Sequence, residues 1–178
     1  MKKFLRGGMA ALMFLATVSC SSDDDNDSAP DNNPGTITAK INGQPWTGEV
    51  SSVTLIRVEA EGAQRFDISA EDDDIRLLLA ATGTYTESGA MTLGTYTFPQ
   101  GALFVPSYKV NGNYFGEHMP EEGTMIITAV NPGTRKISGT FSFVADKAGT
   151  LQNQVTTPEV LTVTEGQFTN LTYTVTDL

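Results

Sequence analysis

The stretch that decides the fold is ISGTFSFVAD, residues 137–146. Apolar and polar residues alternate along it, and the members of its apolar side are Ile137, Phe141, Phe143 and Ala145. Successive side chains of a β-strand point to opposite faces of the sheet, so a period of two is what one buried and one solvated face requires. The stretch therefore predicts a half-buried β-strand.

The same alternation recurs along most of the chain after residue 35. FDISAE (66–71) and TITAKI (36–41) repeat it, whereas IRLLLAA (75–81) is apolar on both faces and predicts a central strand. Thr, Val, Ile, Phe and Tyr are frequent throughout, and these residues favour strand over helix. The pattern predicts roughly nine or ten strands.

Turn residues separate these strands. Asn42-Gly43 and Asn111-Gly112 suit type I′ hairpin turns, because both central residues of that turn need positive φ. Asn131-Pro132-Gly133 predicts a third corner, Glu165-Gly166 predicts a fourth, and Glu71 to Asp74 predicts an acidic tip between two apolar strands. Short strands joined by local hairpins predict an all-β, antiparallel β-sandwich or partly open β-barrel in mainly meander-like order.

The first 19 residues have the layout of a secretory signal peptide. Lys2, Lys3 and Arg6 precede the apolar run Met9 to Val18. About ten residues rise only about 15 Å as a helix, which is too short for a bilayer core of about 30 Å. We therefore expect residues 1–19 to be removed from the mature protein.

Cys20, the only cysteine, stands at the end of this signal and is the predicted lipid-attachment residue. The segment LATVSC resembles a lipobox, with Thr17 where that motif usually has leucine. The five residues that follow resemble the export signal of Bacteroidetes surface lipoproteins: Ser21, Ser22, Asp23, Asp24 and Asp25. The resemblance implies an outer-membrane lipoprotein that faces the cell exterior. The alternative is cleavage after Cys20, which would give a soluble secreted protein.

Residues 20–35 predict an acidic, disordered tether, since they contain no large apolar residue after Cys20. Asp27-Ser28-Ala29 resembles an O-glycosylation site of the same bacterial group, which would modify Ser28. The full chain carries a net charge of −10, and losing residues 1–19 makes it more negative. Such a charge argues against a nucleic-acid partner. Residues 36–178 are predicted to form one domain.

Three motifs in this domain resemble a Bacteroidetes lipoprotein domain of unknown function. They are INGQPWTG (41–48), GTMIITAVNPGTRKISGTFSF (123–143) and VTEGQFTNLTY (163–173). The resemblance implies an all-β domain on a lipid anchor, and it implies no activity.

The aromatic stretch FVPSYKVNGNYFGEHMP (104–120) is the main candidate for ligand binding. Tyr108 and Tyr114 flank its Asn-Gly turn, where they would form an exposed platform for a sugar ring or a partner's apolar patch. Cross-strand aromatic pairs also stabilise hairpins, so a purely structural role is the alternative. His118, the only histidine, is a weaker candidate, and its polar surroundings predict a solvated loop.

No catalytic set or metal site is predicted. A lone histidine and a lone cysteine at a processing junction do not supply a typical zinc site. Glu71 to Asp74 lacks the ligand spacing of an EF-hand loop, and Trp46 is expected to plug the core. We therefore expect no cofactor and a non-enzymatic binding module for a glycan, peptide or envelope protein. A structural envelope component is the alternative, and a hydrolase is the third hypothesis.

Overall fold

The computed structural model describes residues 35–148 and 156–178. Cys20, the export signal and Ser28 lie outside these residues. The described part contains eleven strands and one short 3-10 helix, Glu59–Glu61. The strands are β1 (Thr36–Ile41), β2 (Gln44–Val58), β3 (Ala63–Glu71), β4 (Ile75–Thr84), β5 (Gly94–Thr97), β6 (Ala102–Val110), β7 (Asn113–Phe115), β8 (His118–Asn131), β9 (Lys136–Lys147), β10 (Val160–Thr172) and β11 (Thr174–Asp177).

The strands form one sheet in the order β5-β8-β9-β10-β1-β2-β3-β4-β6-β7, and β11 pairs with β2. Every pair is antiparallel except β11 with β2. Most consecutive strands are neighbours, as a mainly meander-like chain requires. The architecture confirms the predicted all-β class, an antiparallel sandwich or partly open barrel, with eleven strands instead of nine or ten.

The sheet curls until β6 approaches β8, yet the described residues form no backbone ladder between them. Side chains hold this seam together. The ring of Phe104 on β6 stacks on that of Phe143 on β9, with centroids 4.8 Å apart. Gly123 on β8 lies beneath them, and a Cβ there would meet Phe104 Cε2 at 2.5 Å. The seam therefore needs glycine at this position because the backbone of β8 approaches the Phe104 ring so closely.

A single hydrophobic core follows the predicted alternation. All four residues on the apolar side of ISGTFSFVAD are buried, and so are Phe66, Ile68 and Ala70 of FDISAE. Trp46 is buried and fills the core beside the first hairpin, which confirms its expected role as a plug.

Of the five predicted turns, four are confirmed, among them the acidic tip Glu71 to Asp74 between β3 and β4, and one is wrong. Asn42-Gly43 and Asn111-Gly112 have positive φ at both residues, as type I′ turns need, and Asn131-Pro132-Gly133 begins the β8–β9 hairpin turn. Glu165-Gly166 is not a corner. It lies inside β10, where the register with β9 shifts between Val163 and Gly166. The positive φ of Glu165 serves a β-bulge in a continuous strand.

Candidate functional site

The aromatic hairpin is formed, but its two tyrosines lie on opposite faces. The two-residue turn sets Tyr108 opposite Phe115 and Lys109 opposite Tyr114. Because neighbouring residues of a strand face opposite ways, Tyr108 points into the core and is 8% exposed, whereas Tyr114 is half-buried on the other face. The expected platform of two exposed tyrosines is therefore wrong.

The outward ring of Tyr114 is already covered by cations. The guanidinium of Arg76 lies 3.8 Å from the ring centroid, and Lys109 Nζ lies 5.5 Å from it. The Tyr114 hydroxyl donates to the carbonyl oxygen of Asp72 at 3.3 Å. Tyr114 therefore fastens the hairpin to the acidic tip, and one face of its ring is occupied by Arg76.

The acidic tip is organised by its own backbone. The carboxylate of Asp72 accepts hydrogen bonds from the N–H groups of Asp74 and Ile75, at 2.8 and 2.7 Å. The carboxylate of Glu71 pairs with Arg76 at 2.6 Å. In the part of the chain that the structure describes, no group of three or more His, Cys, Asp or Glu side chains is placed to hold a metal ion.

A buried group of polar side chains lies against the inner face of the hairpin. We call it the polar cluster, and its members are Tyr108, Glu117, His118, Lys147 and Thr157. Glu117 and His118 are each 3% exposed. The Thr157 hydroxyl donates to Glu117 Oε2 at 2.6 Å, and Lys147 Nζ lies 4.0 Å from the same oxygen.

His118 is not in a solvated loop, so that expectation is wrong. It is the first residue of β8 and is paired with Lys147 of β9. Its Nε2 is 2.8 Å from the carbonyl oxygen of Pro158, and its ring centroid is 5.5 Å from that of Tyr108. The polar, Gly- and Pro-containing sequence around His118 resembles a loop, but its backbone belongs to a long strand.

Three side-chain atoms of the polar cluster are buried without a hydrogen-bond partner among the described residues: Tyr108 Oη, Glu117 Oε1 and His118 Nδ1. Burial, together with the negative charge of Glu117, raises the pKa of Tyr108 to about 12. The Tyr108 hydroxyl is therefore protonated at neutral pH. Such atoms are uncommon in folded proteins, and each one calls for an explanation.

A shallow groove crosses the outer face of β5, β8, β9 and β10. This outer groove has a volume of about 390 Å³. Besides Gly123, its lining combines the half-buried Phe98, the buried Phe143, two valines, a row of hydroxyl groups and one carboxylate: Thr97, Phe98, Glu122, Thr124, Ser142, Phe143, Val144, Thr162, Val163 and Thr164. Strand register explains the row, because Thr97 is opposite Thr124 and Thr124 is opposite Ser142. A second depression of about 380 Å³ continues it past Ile126 and Gln167.

Sequence reasoning missed both features. The polar cluster joins the stretch from Tyr108 to His118 with Thr157, which is 40 residues further along the chain than Glu117. The outer groove depends on β5 pairing with β8. The one available signal was the two-residue Asn111-Gly112 turn, whose register already separates Tyr108 from Tyr114.

The family model described as a domain of unknown function, DUF6252, matches residues 32–172. The chain belongs to this family. No curated protein and no solved structure matches the chain. Within the described residues, none of the helical structure is long and apolar enough to cross a membrane. The matched residues include all of β1 to β10, so the DUF6252 domain accounts for nearly all of the β sheet.

Proposed function

We propose that this DUF6252 chain is an outer-membrane lipoprotein, anchored through Cys20, whose domain binds an extracellular glycan in the outer groove. The observation that carries the proposal is the composition of the groove. Sugar recognition needs an apolar ring face to stack against and several polar groups to bond with hydroxyls, and pockets combine apolar walls with a few placed polar groups. Phe98 supplies the ring, and Glu122 and the threonine and serine hydroxyls supply the polar groups.

The volume of the groove is compatible with a small ligand or one end of a larger chain. Ligand sites commonly occupy about 300–1,000 Å³, and the outer groove has about 390 Å³. Its hydroxyls lie on neighbouring strands of a continuous sheet, so their spacing is fixed by the ladder. The Oγ atoms of Thr124 and Ser142, for example, are 3.4 Å apart. A site on strands is better preorganised than one on the Tyr114 hairpin.

The anchor rests on the sequence that precedes the domain. A single acyl chain binds membranes only marginally, whereas the several chains of a bacterial lipoprotein would hold Cys20 durably. The negative charge of the chain would keep the domain away from an anionic membrane surface. Gly35, the first residue that the structure describes, has a carbonyl oxygen that accepts a hydrogen bond from the N–H of Val50. This is the start of β1, the opposite end of that strand from the Asn42-Gly43 turn.

A structural role in the envelope is the second candidate. It is favoured by the burial of Tyr108 and by the Arg76 guanidinium over Tyr114, because both tyrosines then serve packing. Glycan binding and the structural role make different predictions for the outer groove: a glycan-binding domain must bind a sugar there, whereas a structural component need not bind any ligand there. We propose binding over catalysis because no residue of the polar cluster, which holds the only histidine, lines the outer groove.

The test is a glycan array probed with the mature full-length chain and with a Ser142→Tyr variant. Ser142 is half-buried on the outer face of β9, so a tyrosine there would fill the groove without entering the core. Tyrosine is also well tolerated in strands. We expect a glycan that binds the wild type to bind Ser142→Tyr at least tenfold more weakly.

Tyr114→Ala is the matched control, because it removes the aromatic hairpin candidate and leaves the groove intact. Glycan binding should survive it. Loss of binding in Tyr114→Ala together with retention in Ser142→Tyr would move the site to the hairpin. Wild-type protein that binds no glycan but captures an envelope protein would instead support the structural role.

A further inference from the structure

The polar cluster contains three unpartnered atoms, and all three are able to bind a metal ion. They are the phenol oxygen of Tyr108, one carboxylate oxygen of Glu117 and one ring nitrogen of His118. Their residues are all more than nine-tenths buried. Leaving a buried polar atom without a partner is unfavourable, so three in one cluster point to a group that they share.

The hydrogen bond of His118 fixes which nitrogen is available. Pro158 contributes a carbonyl oxygen, which only accepts, so Nε2 must carry the proton at their 2.8 Å contact. In the neutral ring Nδ1 then has a free lone pair. Proteins orient metal-binding histidines in this way, with the second ring N–H donated to a carbonyl or carboxylate.

Glu117 is oriented in the same manner. Its Oε2 accepts the Thr157 hydroxyl at 2.6 Å and lies 4.0 Å from Lys147 Nζ, which leaves Oε1 unpartnered. Thr157 and Pro158 are consecutive, so one short segment holds the far sides of both Glu117 and His118. The rings of Tyr108 and His118 are 5.5 Å apart, and the Glu117 charge acts on the Tyr108 phenol.

We propose that Tyr108 Oη, Glu117 Oε1 and His118 Nδ1 form a three-ligand site for a first-row transition-metal ion such as Zn²⁺ or Fe³⁺. An imidazole with two oxygen ligands suits such ions better than Mg²⁺ or Ca²⁺, which prefer oxygen alone. A carboxylate and a phenolate supply two negative charges, which neutralise Zn²⁺ and leave one positive charge on Fe³⁺, and the phenol proton is released to solvent on binding. The phenol oxygen of Tyr108 is the third ligand, beside the carboxylate of Glu117 and the imidazole of His118.

The experiment uses the mature full-length chain, stripped with a chelator and titrated separately with Zn²⁺ and with Fe³⁺. Bound metal is counted by inductively coupled plasma mass spectrometry after desalting, and affinity is measured by competition with a chromophoric chelator. We expect about one ion per chain. Tyr108→Phe should weaken binding at least tenfold, and Thr157→Val, which removes the hydrogen bond that orients Glu117, should weaken it about 10- to 100-fold.

Tyr114→Phe is the control, since it removes a hydroxyl of the same hairpin that lies outside the polar cluster. It should bind like the wild type. Tyr108→Phe deletes one oxygen and keeps the buried ring, so circular dichroism should show an unchanged fold. The proposal is overturned if the wild type retains neither metal. It is also overturned if Tyr108→Phe and Tyr114→Phe bind like the wild type, because that result means an adventitious ion only, held by surface carboxylates.

Discussion

Gly123→Ala should destabilise the domain by acting on the seam between β6 and β8. A Cβ at residue 123 would lie 2.5 Å from Phe104 Cε2 and 2.6 Å from Phe143 Cβ. Ordinary contacts between such carbons begin near 3.5 Å, so a neighbour must move by about 1 Å. Phe104 is fully buried and stacked on Phe143, and neither ring has solvent to move into.

The magnitude follows from two opposing effects. Inserting a methyl group into a well-packed core costs about 1–3 kcal/mol. Replacing glycine by alanine also restricts the unfolded chain, which stabilises the folded state by about 0.4–1 kcal/mol. The expected net loss in the free energy of unfolding is about 1–2 kcal/mol. With a urea m-value of about 2 kcal/mol/M, the midpoint falls by about 0.5–1 M.

Urea unfolding followed by circular dichroism measures this loss, and Gly83→Ala on β4 is the matched control. A Cβ at Gly83 would meet Met91 and Tyr96 at 3.5 Å, which is ordinary contact. Gly83→Ala should therefore be neutral or slightly stabilising, and both variants should keep the wild-type m-value. Equal midpoints for Gly123→Ala and Gly83→Ala would refute the close packing of Phe104 on β8.

Two further predictions concern ionisable groups. The pKa of Tyr108 is raised to about 12 in the folded domain. As the pH rises, the unfolded chain therefore loses the Tyr108 proton before the folded domain does. The free energy of unfolding should fall by about 1–3 kcal/mol between about pH 10 and about pH 12. Urea unfolding at neutral pH and at about pH 11 should show a smaller fall in Tyr108→Phe, and an equal fall would contradict the burial of the phenol. The second prediction concerns Asp177 in β11, whose pKa is lowered by a hydrogen bond of 2.6 Å from Arg57. At pH values above the ordinary pKa of an aspartate, the ion pair between Arg57 and Asp177 therefore stabilises β11. This stabilisation is lost as the pH falls through the lowered pKa of Asp177. Hydrogen exchange of β11 should be faster in Asp177→Asn than in the wild type at neutral pH and equal at strongly acidic pH. Global stability should change little, since the Asp177 side chain is exposed.

The sequence was most informative where the residues of a single strand or turn determine the structure by themselves. The four residues on the apolar side of ISGTFSFVAD are all buried, since one face of β9 meets the core along its whole length. Asn42-Gly43 and Asn111-Gly112 were also predictable, because few residues other than these adopt positive φ without strain.

The predictions for Glu165-Gly166 and His118 were wrong because the same local sequence is compatible with two different backbone structures. Glu165-Gly166 has the composition and positive φ of a turn, yet the same features form a bulge inside β10. His118 sits among charged residues, glycine and proline, but β8 tolerates Pro120 beside a register shift and continues through it. Only pairing with β9 distinguishes these outcomes, and pairing depends on the whole sheet.

The candidate sites were the least predictable part. Glu117 and Thr157 are forty residues apart, and their 2.6 Å hydrogen bond exists because the chain returns to β8 just before β10 begins. The outer groove likewise requires Thr97 to be opposite Thr124. Alternation assigns a residue to a face, but the order of strands decides which faces meet.

The proposed display of the DUF6252 domain outside the membrane depends on Cys20 being acylated. The most direct test is mass spectrometry of the amino-terminal peptide from protein purified out of native membranes. We predict a peptide that begins at Cys20 and carries the added mass of its acyl chains. An N-terminus at Ser21, or an unmodified Cys20, would contradict the lipid anchor.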